Sequence, residues 1–193
     1  MCIRDRYYVS QINRTLEKLY AFLEQLLLWG RIQKNGLTLN YESCVVKELL
    51  AISISPLTAS ATKKKIEIEL LCDDELTLTL DIERISIVLR NLISNAIKFS
   101  PVGSKIIISA YIENTDLLIS VIDEGVGMTE ELLEKIFKID KIISTIGTDG
   151  ELGSGMGLIL CNDILKKHNG KISVQSKEGK GSTFTISLPN LEQ

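Results

Sequence analysis

Three polar side chains with ligand-binding chemistry lie close together in one stretch, Asp81 to Pro101, which reads DIERISIVLRNLISNAIKFSP. They are Asn91, Asn95 and Lys98, spaced four and then three residues apart, so on a helix they line one stripe and can act on a single ligand. A neutral oxygen donor and an ammonium one turn apart suit a magnesium ion and the phosphates that it bridges. The helix alone leaves a solvated polar face open as the alternative.

Three glycine-rich segments further along the chain add groups that could hold a nucleotide. Asp123 follows a predicted strand and precedes Gly125 and Gly127, so a carboxylate that can accept a hydrogen bond from an exocyclic amino group adjoins a tight backbone turn. Gly153 to Leu158, GSGMGL, opens a predicted helix whose unpaired amides make an anion site. Gly179 to Phe184, GKGSTF, turns into the last predicted strand. Taken singly, each segment is as compatible with a helix cap, a tight turn or a hairpin.

The helix that carries the polar stripe is predicted from its apolar spacing. Apolar residues recur three and four apart on another face, at Ile85, Val88, Leu89, Leu92, Ala96 and Phe99. Before this helix, the pattern predicts a strand over Leu37–Tyr41, a helix from Val45 to about Lys64 that breaks near Ser55 at Pro56, and strands Ile66–Cys72 and Leu76–Leu80 around a turn at Asp73–Asp74.

The elements after the helix complete a two-layer fold. Alternation and periodicity predict strands Lys105–Glu113, Leu117–Val121, Lys171–Ser176 and Ser182–Leu188, and helices Glu130–Ile136 and Met156–His168. Residues Phe137–Gly155 are rich in glycine and poor in apolar periodicity, which predicts a mobile lid. Helices on one face of a mixed, mostly antiparallel sheet make an α+β fold, a two-layer α/β sandwich.

An amphipathic helix precedes this domain. From Ile12 to Leu26 apolar residues repeat at alternating four and three, a coiled-coil seam, and Asn35-Gly36 would end the helix. Such a face needs a partner, so we expect a homodimer through this helix; packing back on the chain's own domain is the alternative. The expected organisation is a helical segment at 7–36 and a catalytic domain at 37–190.

Composition excludes several classes of protein. The chain has 193 residues, 45% of them apolar and 24% charged, and a net charge of -3 without a basic stripe, which argues against nucleic acid as a partner. Four well-separated cysteines indicate neither a zinc site nor a disulfide framework, so a reducing cytoplasm fits best. We expect no membrane segment in this chain and any membrane attachment of the full-length protein to lie outside it.

Together and in this order, the motifs resemble the ATP-binding catalytic domain of sensor histidine kinases, in the superfamily that also holds gyrase, mismatch-repair and heat-shock chaperone ATPases. LRNLISNAIKFSP resembles the family's asparagine box, and KIF at Lys135 to Phe137 resembles its phenylalanine box. DEGVGM, GSGMGL and GKGSTF resemble the first, second and third glycine boxes. The likeness covers about Leu37 to Pro189, and the Ile12 to Gly36 helix resembles the second helix of the family's dimerisation hairpin.

The resemblance implies binding of ATP with Mg²⁺ and transfer of the γ-phosphate to a histidine, with a response regulator receiver domain as partner of the full-length protein. It implies that Asn95 holds magnesium, Lys98 contacts phosphate and Asp123 reads the adenine amino group. The other implied roles are Gly125 and Gly127 shaping the adenine pocket, Gly153 as lid hinge, the amides of Gly155, Met156, Gly157 and Leu158 holding phosphates, and Thr183 near the adenine by way of a water.

Three departures from the family pattern bear on activity. Asn91 occupies the position where the ATP-hydrolysing branches carry a glutamate, so hydrolysis should be poor. Ile139 and Asp140 replace the second aromatic usual after the phenylalanine box. The only histidine, His168, lies inside the ATP domain, so we interpret it as a structural or surface residue and expect the phosphoacceptor outside this chain. The rival hypotheses are an anti-sigma-factor type serine kinase and a nucleotide-binding interaction module without transfer activity.

Overall fold

A computed structural model of the chain describes residues 38–138, 145–151, 153 and 155–189, together with ten separate positions between Tyr8 and Gly30. The chain divides into two compact units, Met1–Leu37 and Thr38–Gln193. In the first unit the described positions are all helical, and its seam residues are exposed: Ile12, Leu16, Leu19, Leu23 and Leu26. The helix end predicted at Asn35-Gly36 lies outside the described residues.

The second unit opens with a small sheet and a broken helix. Strand β1 is Glu42–Val45, α1 is Val46–Ile54, a 3₁₀ turn spans Ser55–Leu57, and α2 is Thr58–Lys63. The break at Pro56 is confirmed, since proline cannot supply an amide to the helical ladder. The strand predicted at Leu37–Tyr41 is wrong for its described part: the Asn40 amide donates to Asp81 Oδ2 at 3.0 Å, so pairing begins only at Glu42.

The main sheet has the strand order β2-β4-β5-β7-β6. Its strands are β2 Glu67–Cys72, β4 Lys105–Glu113, β5 Asp116–Asp123, β6 Lys171–Ser176 and β7 Ser182–Pro189. Only β2 and β4 pair in parallel, and the other neighbours are antiparallel. Strand β3, Thr77–Leu80, pairs with β1 in the small sheet, so the turn at Asp73-Asp74 does not join paired strands as a hairpin would.

Helix α3, Ile82–Phe99, carries the polar stripe and supplies much of the core. Asp81 caps its start, because the carboxylate accepts from the Arg84 amide at 2.9 Å as well as from Asn40. The predicted apolar face is buried, apart from Phe99, which is half-buried. Ile93 and Ile97 are also buried and widen this face, each contributing about 1.5–3 kcal/mol of burial free energy.

Two shorter helices complete the helical layer. Helix α4 covers Glu130–Leu133 rather than the predicted Glu130–Ile136, because the Lys135 amide bonds three residues back to Leu132 and tightens the chain into a turn. Helix α5 is Gly157–Lys167. Along β4, β5 and β7 alternate side chains are buried, which leaves one sheet face for the helices. The predicted α+β two-layer sandwich is confirmed.

Candidate nucleotide-binding site

Asp123 ends β5 with a buried carboxylate, only 6% exposed. Its Oδ1 accepts hydrogen bonds from the Gly125 amide at 2.8 Å and the Ser182 amide at 3.2 Å. Burial raises the pKa of Asp123, and these two hydrogen bonds oppose the rise. Among the described residues none donates to Oδ2, so this oxygen can accept a hydrogen bond from a ligand amino group.

The glycines around Asp123 are required first by the protein's own backbone. A Cβ on Gly125 would lie 2.6 Å from Asp123 Oδ1, and one on Gly127 would overlap the carbonyl of Lys177. A Cβ on Gly181 would overlap the carbonyl of Asp123. Gly127 and Gly181 also have φ angles of +67° and +83°, which disfavour other residues. The first and third glycine boxes therefore interlock around the carboxylate.

Strand register separates Ser182 from the predicted contact Thr183. Asp123 pairs with Ser182, so their side chains share a sheet face, whereas Thr183 pairs with Ile122 on the opposite face. Ser182 is 9% exposed, and its hydroxyl lies 2.9 Å from the Ser176 hydroxyl. A cleft of about 340 Å³ at this sheet end is lined by both Asp123 and Thr183. Sequence reasoning missed Ser182, because the sequence alone does not give the register of β7 against β5.

The structure brings the predicted stripe of α3 to one surface. Asn91, Asn95 and Lys98 are all half-buried. The side-chain nitrogen of Asn91, Nδ2, donates to the Ile87 carbonyl at 3.0 Å. A Cβ on Gly157 would lie 2.6 Å from Oδ1 of the same asparagine. The Asn95 carboxamide forms no hydrogen bond with any other described residue and is therefore available as an oxygen ligand.

Lys98 contacts the segment of chain that precedes the second glycine box. Its ammonium donates to the Thr145 carbonyl at 2.6 Å and lies 4.5 Å from the centre of the Phe99 ring. Burial lowers the pKa of Lys98, and the charge of Glu151 opposes that shift. A Cβ on Gly153 would lie 2.8 Å from the ammonium, so Gly153 adjoins the predicted phosphate contact.

The start of α5 is a candidate anion site. Met156 is the N-cap residue, and the amides of Gly157 and Leu158 in the first turn have no acceptor within the helix. Gly155, directly before the N-cap residue, has a φ of +74°. The positive end of the helix dipole and the amides both favour phosphate oxygens. The Asn91 contact with Gly157 joins this helix start to α3.

Part of the predicted lid is well connected. We call residues 145–151 the anchored loop: the Thr148 amide donates to the Lys98 carbonyl at 3.0 Å, and the Gly147 amide to the Glu151 carbonyl at 2.7 Å. The Thr148 hydroxyl also donates to the Ser100 carbonyl at 2.7 Å. Residues 139–144, 152 and 154 lie outside the described residues, so the lid and its hinge at Gly153 stay a prediction.

His168 is a structural residue at the end of α5. It is 3% exposed, its Nδ1 lies 2.9 Å from the Ile164 carbonyl, and its ring packs edge-on against Tyr41. The carbonyl can only accept, so Nδ1 carries a proton; Nε2 is buried and has no hydrogen-bond partner among the described residues. Neither nitrogen can receive a phosphoryl group without exposing the core.

Other candidate features are few in the described part of the chain. It contains no group of three or more His, Cys, Asp and Glu residues arranged for a metal ion, and no helix long and apolar enough to cross a membrane. The described cysteines are free thiols. Burial raises the pKa of Cys161 to about 12, so this thiol is unreactive.

Comparison with known proteins identifies the family. Residues 80–192 match the model for histidine kinase-, DNA gyrase B- and HSP90-like ATPases. The sensor protein SrrB of Staphylococcus aureus is 30% identical over 187 residues, 91% of this chain but only 30% of SrrB. The histidine kinase AdeS of Acinetobacter baumannii is 25% identical with a TM-score of 0.76, covering 96% of this chain and 84% of AdeS.

A third relative is the histidine kinase ThkA, solved in complex with the response regulator TrrA. It is 28% identical with a TM-score of 0.76, covering 95% of this chain and 50% of ThkA. The family match spans more than half of the chain and contains every motif from the asparagine box to the third glycine box. The chain belongs to the histidine kinase-, DNA gyrase B- and HSP90-like ATPase family.

Proposed function

We propose that this chain contains the catalytic ATP-binding domain of a sensor histidine kinase, which binds Mg-ATP and delivers the γ-phosphate to a histidine outside the domain. The observation that carries the proposal is the convergence of polar groups whose chemistry matches that of adenine, magnesium and phosphate. A carboxylate oxygen of Asp123 is available at one end of the site. At the other, Asn91 contacts Gly157 at the start of α5, the Lys98 ammonium lies beside Gly153, and Asn95 lies on the same stripe of α3.

At the adenine end, Asp123 Oδ2 would accept a hydrogen bond from the exocyclic amino group. Oδ1 stays engaged with the Gly125 and Ser182 amides, which hold the carboxylate in one orientation. Gly125 and Gly127 give the pocket its shape by letting the backbone turn there. We assign the water-mediated contact with the base to Ser182 rather than Thr183, because only Ser182 shares a sheet face with Asp123.

At the phosphate end, Asn95 is the proposed ligand of Mg²⁺, with Asn91 beside it, and Lys98 is the proposed phosphate contact. Magnesium would neutralise charge on the phosphates when bound. The amides of Gly155, Met156, Gly157 and Leu158 would hold phosphate oxygens at the positive end of the α5 dipole. To reach a phosphate, Lys98 must give up its bond to the Thr145 carbonyl, so binding and loop contacts compete for one ammonium.

Transfer rather than hydrolysis is the proposed outcome. Asn91 is not a base, and its amide group is held by the Ile87 carbonyl, so it cannot activate water as a carboxylate would. Catalysis by this domain would then consist of positioning and charge neutralisation. Since His168 is the chain's only histidine and is buried, the acceptor must come from another segment or protein.

The proposed partners follow from the N-terminal unit and from ThkA. The described positions of residues 7–36 are helical with an exposed apolar seam, which supports a second helix of a dimerisation hairpin and a homodimer. ThkA was solved with the response regulator TrrA, so we propose a response regulator receiver domain as partner of the full-length protein. The domain limits proposed are 7–36 and 37–190.

Phosphotransfer with a supplied acceptor tests the proposal. The chain is incubated with Mg-ATP labelled at the γ-phosphate, with and without a helical hairpin that carries a phosphoacceptor histidine. We expect labelled hairpin only when both components are present, in an acid-labile and alkali-stable linkage typical of phosphohistidine. The His168→Gln variant should transfer as well as the wild type.

The alternatives give different results in the same experiment. Acid-stable label on serine of a supplied protein would indicate a serine kinase. Binding of Mg-ATP by calorimetric titration without label on any acceptor would indicate a nucleotide-binding interaction module. Label on His168 itself would contradict the structural role assigned to that residue.

A further inference from the structure

We propose that Lys64 is a positioning residue of the nucleotide site, which fixes the anchored loop against the carboxyl end of α3. Lys64 directly follows α2 and is only 4% exposed, so its ammonium lies inside the domain. A buried cation persists only where several acceptors surround it. The inference rests on the proposed function, because it concerns the phosphate end of the same site.

The first group of acceptors is the end of α3. Lys64 Nζ lies 2.8 Å from the Ile97 carbonyl, 3.0 Å from the Lys98 carbonyl and 3.3 Å from the Ser100 carbonyl. The last carbonyls of a helix have no donor within the helix, and a cation there also stabilises the negative end of the dipole. Lys64 thus holds the turn of backbone that carries the Lys98 side chain.

The second group belongs to the anchored loop. The same ammonium donates to Thr148 Oγ1 at 2.8 Å and forms an ion pair with Glu151 Oε1 at 2.8 Å. An ammonium has only three protons, so these acceptors share it with the carbonyls of α3. One buried charge therefore joins the end of α3 to the anchored loop, which lies more than forty residues further along the chain.

The position of the anchored loop determines what surrounds the phosphates. Thr145 contacts the Lys98 ammonium from this loop, and Gly153, just beyond it, adjoins the same ammonium. In the sequence, α5 begins at Gly157, six residues after Glu151. Besides the bonds that Thr148 itself makes to α3, two lysine side chains at the site hold the loop: Lys98 on the outside, which a phosphate would take over, and Lys64 on the inside. The contacts of Lys64 keep the loop in place when that of Lys98 is released.

Lys63 provides a matched control in the neighbouring position. It also pairs with the anchored loop, since its ammonium lies 3.6 Å from Asp149 Oδ2. Both side chains of this pair are exposed, at 76% and 54%, so solvent screens it. A comparison of the two lysines therefore separates a buried attachment from a surface charge on the same loop.

The test compares Lys64→Met with Lys63→Met by calorimetric titration with Mg-ATP and with adenosine, after thermal unfolding has shown that each variant is folded. We expect Lys64→Met to weaken Mg-ATP binding roughly ten- to hundredfold, because displaced phosphate contacts lose their alignment. Adenosine binding should stay within about twofold of wild type, as should both affinities of Lys63→Met. The Glu151→Gln effect on Mg-ATP binding should be non-additive with that of Lys64→Met.

Two results would overturn the proposal. If Lys64→Met lowered the affinities for Mg-ATP and for adenosine equally, Lys64 would contribute only to the stability of the fold. If Lys64→Met left the affinity for Mg-ATP unchanged, Lys64 would have no role in positioning the site. If Lys64→Met does not fold, Thr148→Val replaces it, since this change removes only the hydroxyl between the ammonium and the Ser100 carbonyl. A wild-type chain that binds neither ligand would instead contradict the proposed function.

Discussion

Asp123→Asn is the sharpest single test of the adenine end, because it changes one atom of the site. Replacing Asp123 with alanine would also remove the acceptor for two amides, and each orphaned buried amide costs about 1–3 kcal/mol. Asparagine keeps a carbonyl oxygen for the Gly125 and Ser182 amides and places an NH₂ group where Oδ2 was. That NH₂ would oppose the amino group of adenine, donor against donor.

The expected magnitude follows from the hydrogen bond that is lost. A hydrogen bond to a charged group contributes about 1.5–3 kcal/mol, which corresponds to roughly 10- to 150-fold in the dissociation constant. Inosine triphosphate carries a carbonyl in place of the amino group and would accept from the asparagine NH₂. We therefore expect Asp123→Asn to weaken Mg-ATP binding, to strengthen Mg-ITP binding and so to reverse or abolish the preference for adenine.

Calorimetric titration of wild type and variant with both nucleotides measures these four affinities. Asp116→Asn is the control, because Asp116 begins the same strand, accepts from the Ser187 hydroxyl at 2.9 Å and lies at the far end of β5. It should change neither affinity by more than about twofold. An Asp123→Asn variant that keeps the wild-type preference for ATP over ITP would refute the adenine contact.

The same variant should be more stable without nucleotide. Burial raises the pKa of Asp123 in the folded state above its value in the unfolded chain. The protonated carboxyl therefore contributes stability below the pKa of the unfolded chain, and this stability is lost as pH rises through the pKa of the folded state. At neutral pH the buried carboxylate therefore costs stability, and asparagine avoids that cost. Thermal unfolding should give Asp123→Asn the higher Tm at neutral pH, with a difference that shrinks in acid. A lower Tm would mean that the two amide hydrogen bonds outweigh burial.

Three further predictions concern the metal, a glycine and the anchored loop. Asn95→Ala should abolish Mg-ATP binding in calorimetric titration and shift the unfolding free energy by less than about 0.5 kcal/mol, since the carboxamide has no described partner; unchanged affinity would remove the metal role. Gly181→Ala should destabilise far more than Gly179→Ala in chemical denaturation, because both have positive φ but only Gly181 lacks space, and equal costs would refute the interlock. Hydrogen exchange should show that nucleotide protects residues 138–158, and the Thr148 amide should be protected even without nucleotide. Equal, high protection of the whole segment with and without nucleotide would contradict the predicted lid and its hinge.

Local patterns predicted the elements best. Helix α3 was predictable because its apolar spacing, its capping aspartate and its polar stripe all lie within one stretch of sequence. The break at Pro56 was predictable for the same reason, since proline acts on its own helix. Helix α4 was predicted too long, because the tight turn after Leu132 depends on backbone geometry that residue type does not specify.

Contacts between distant segments were not predictable. The pairing of β1 with β3 instead of β2 with β3 depends on the parallel docking of β2 beside β4. The role of Lys64 was missed, because three adjacent lysines at 63–65 look alike in the sequence and only packing buries the middle one. Ser182 was missed and Thr183 was named instead, because only the pairing of β7 with β5 shows which of the two shares a sheet face with Asp123.

The glycines of the first and third boxes are explained by packing within the fold as well as by ligand binding. Gly127 is required by the Lys177 carbonyl and Gly181 by the Asp123 carbonyl, so both glycines are explained before any ligand is considered. These glycines are therefore evidence that the two boxes pack against each other and hold the Asp123 carboxylate. That packing is a property of the fold and does not depend on a ligand. The groups that would distinguish a nucleotide-binding member from an inactive one are instead the free Oδ2 of Asp123, the Asn95 carboxamide and the Lys98 ammonium. In this chain all three are present, and Lys98 would have to release the Thr145 carbonyl before it could contact a phosphate.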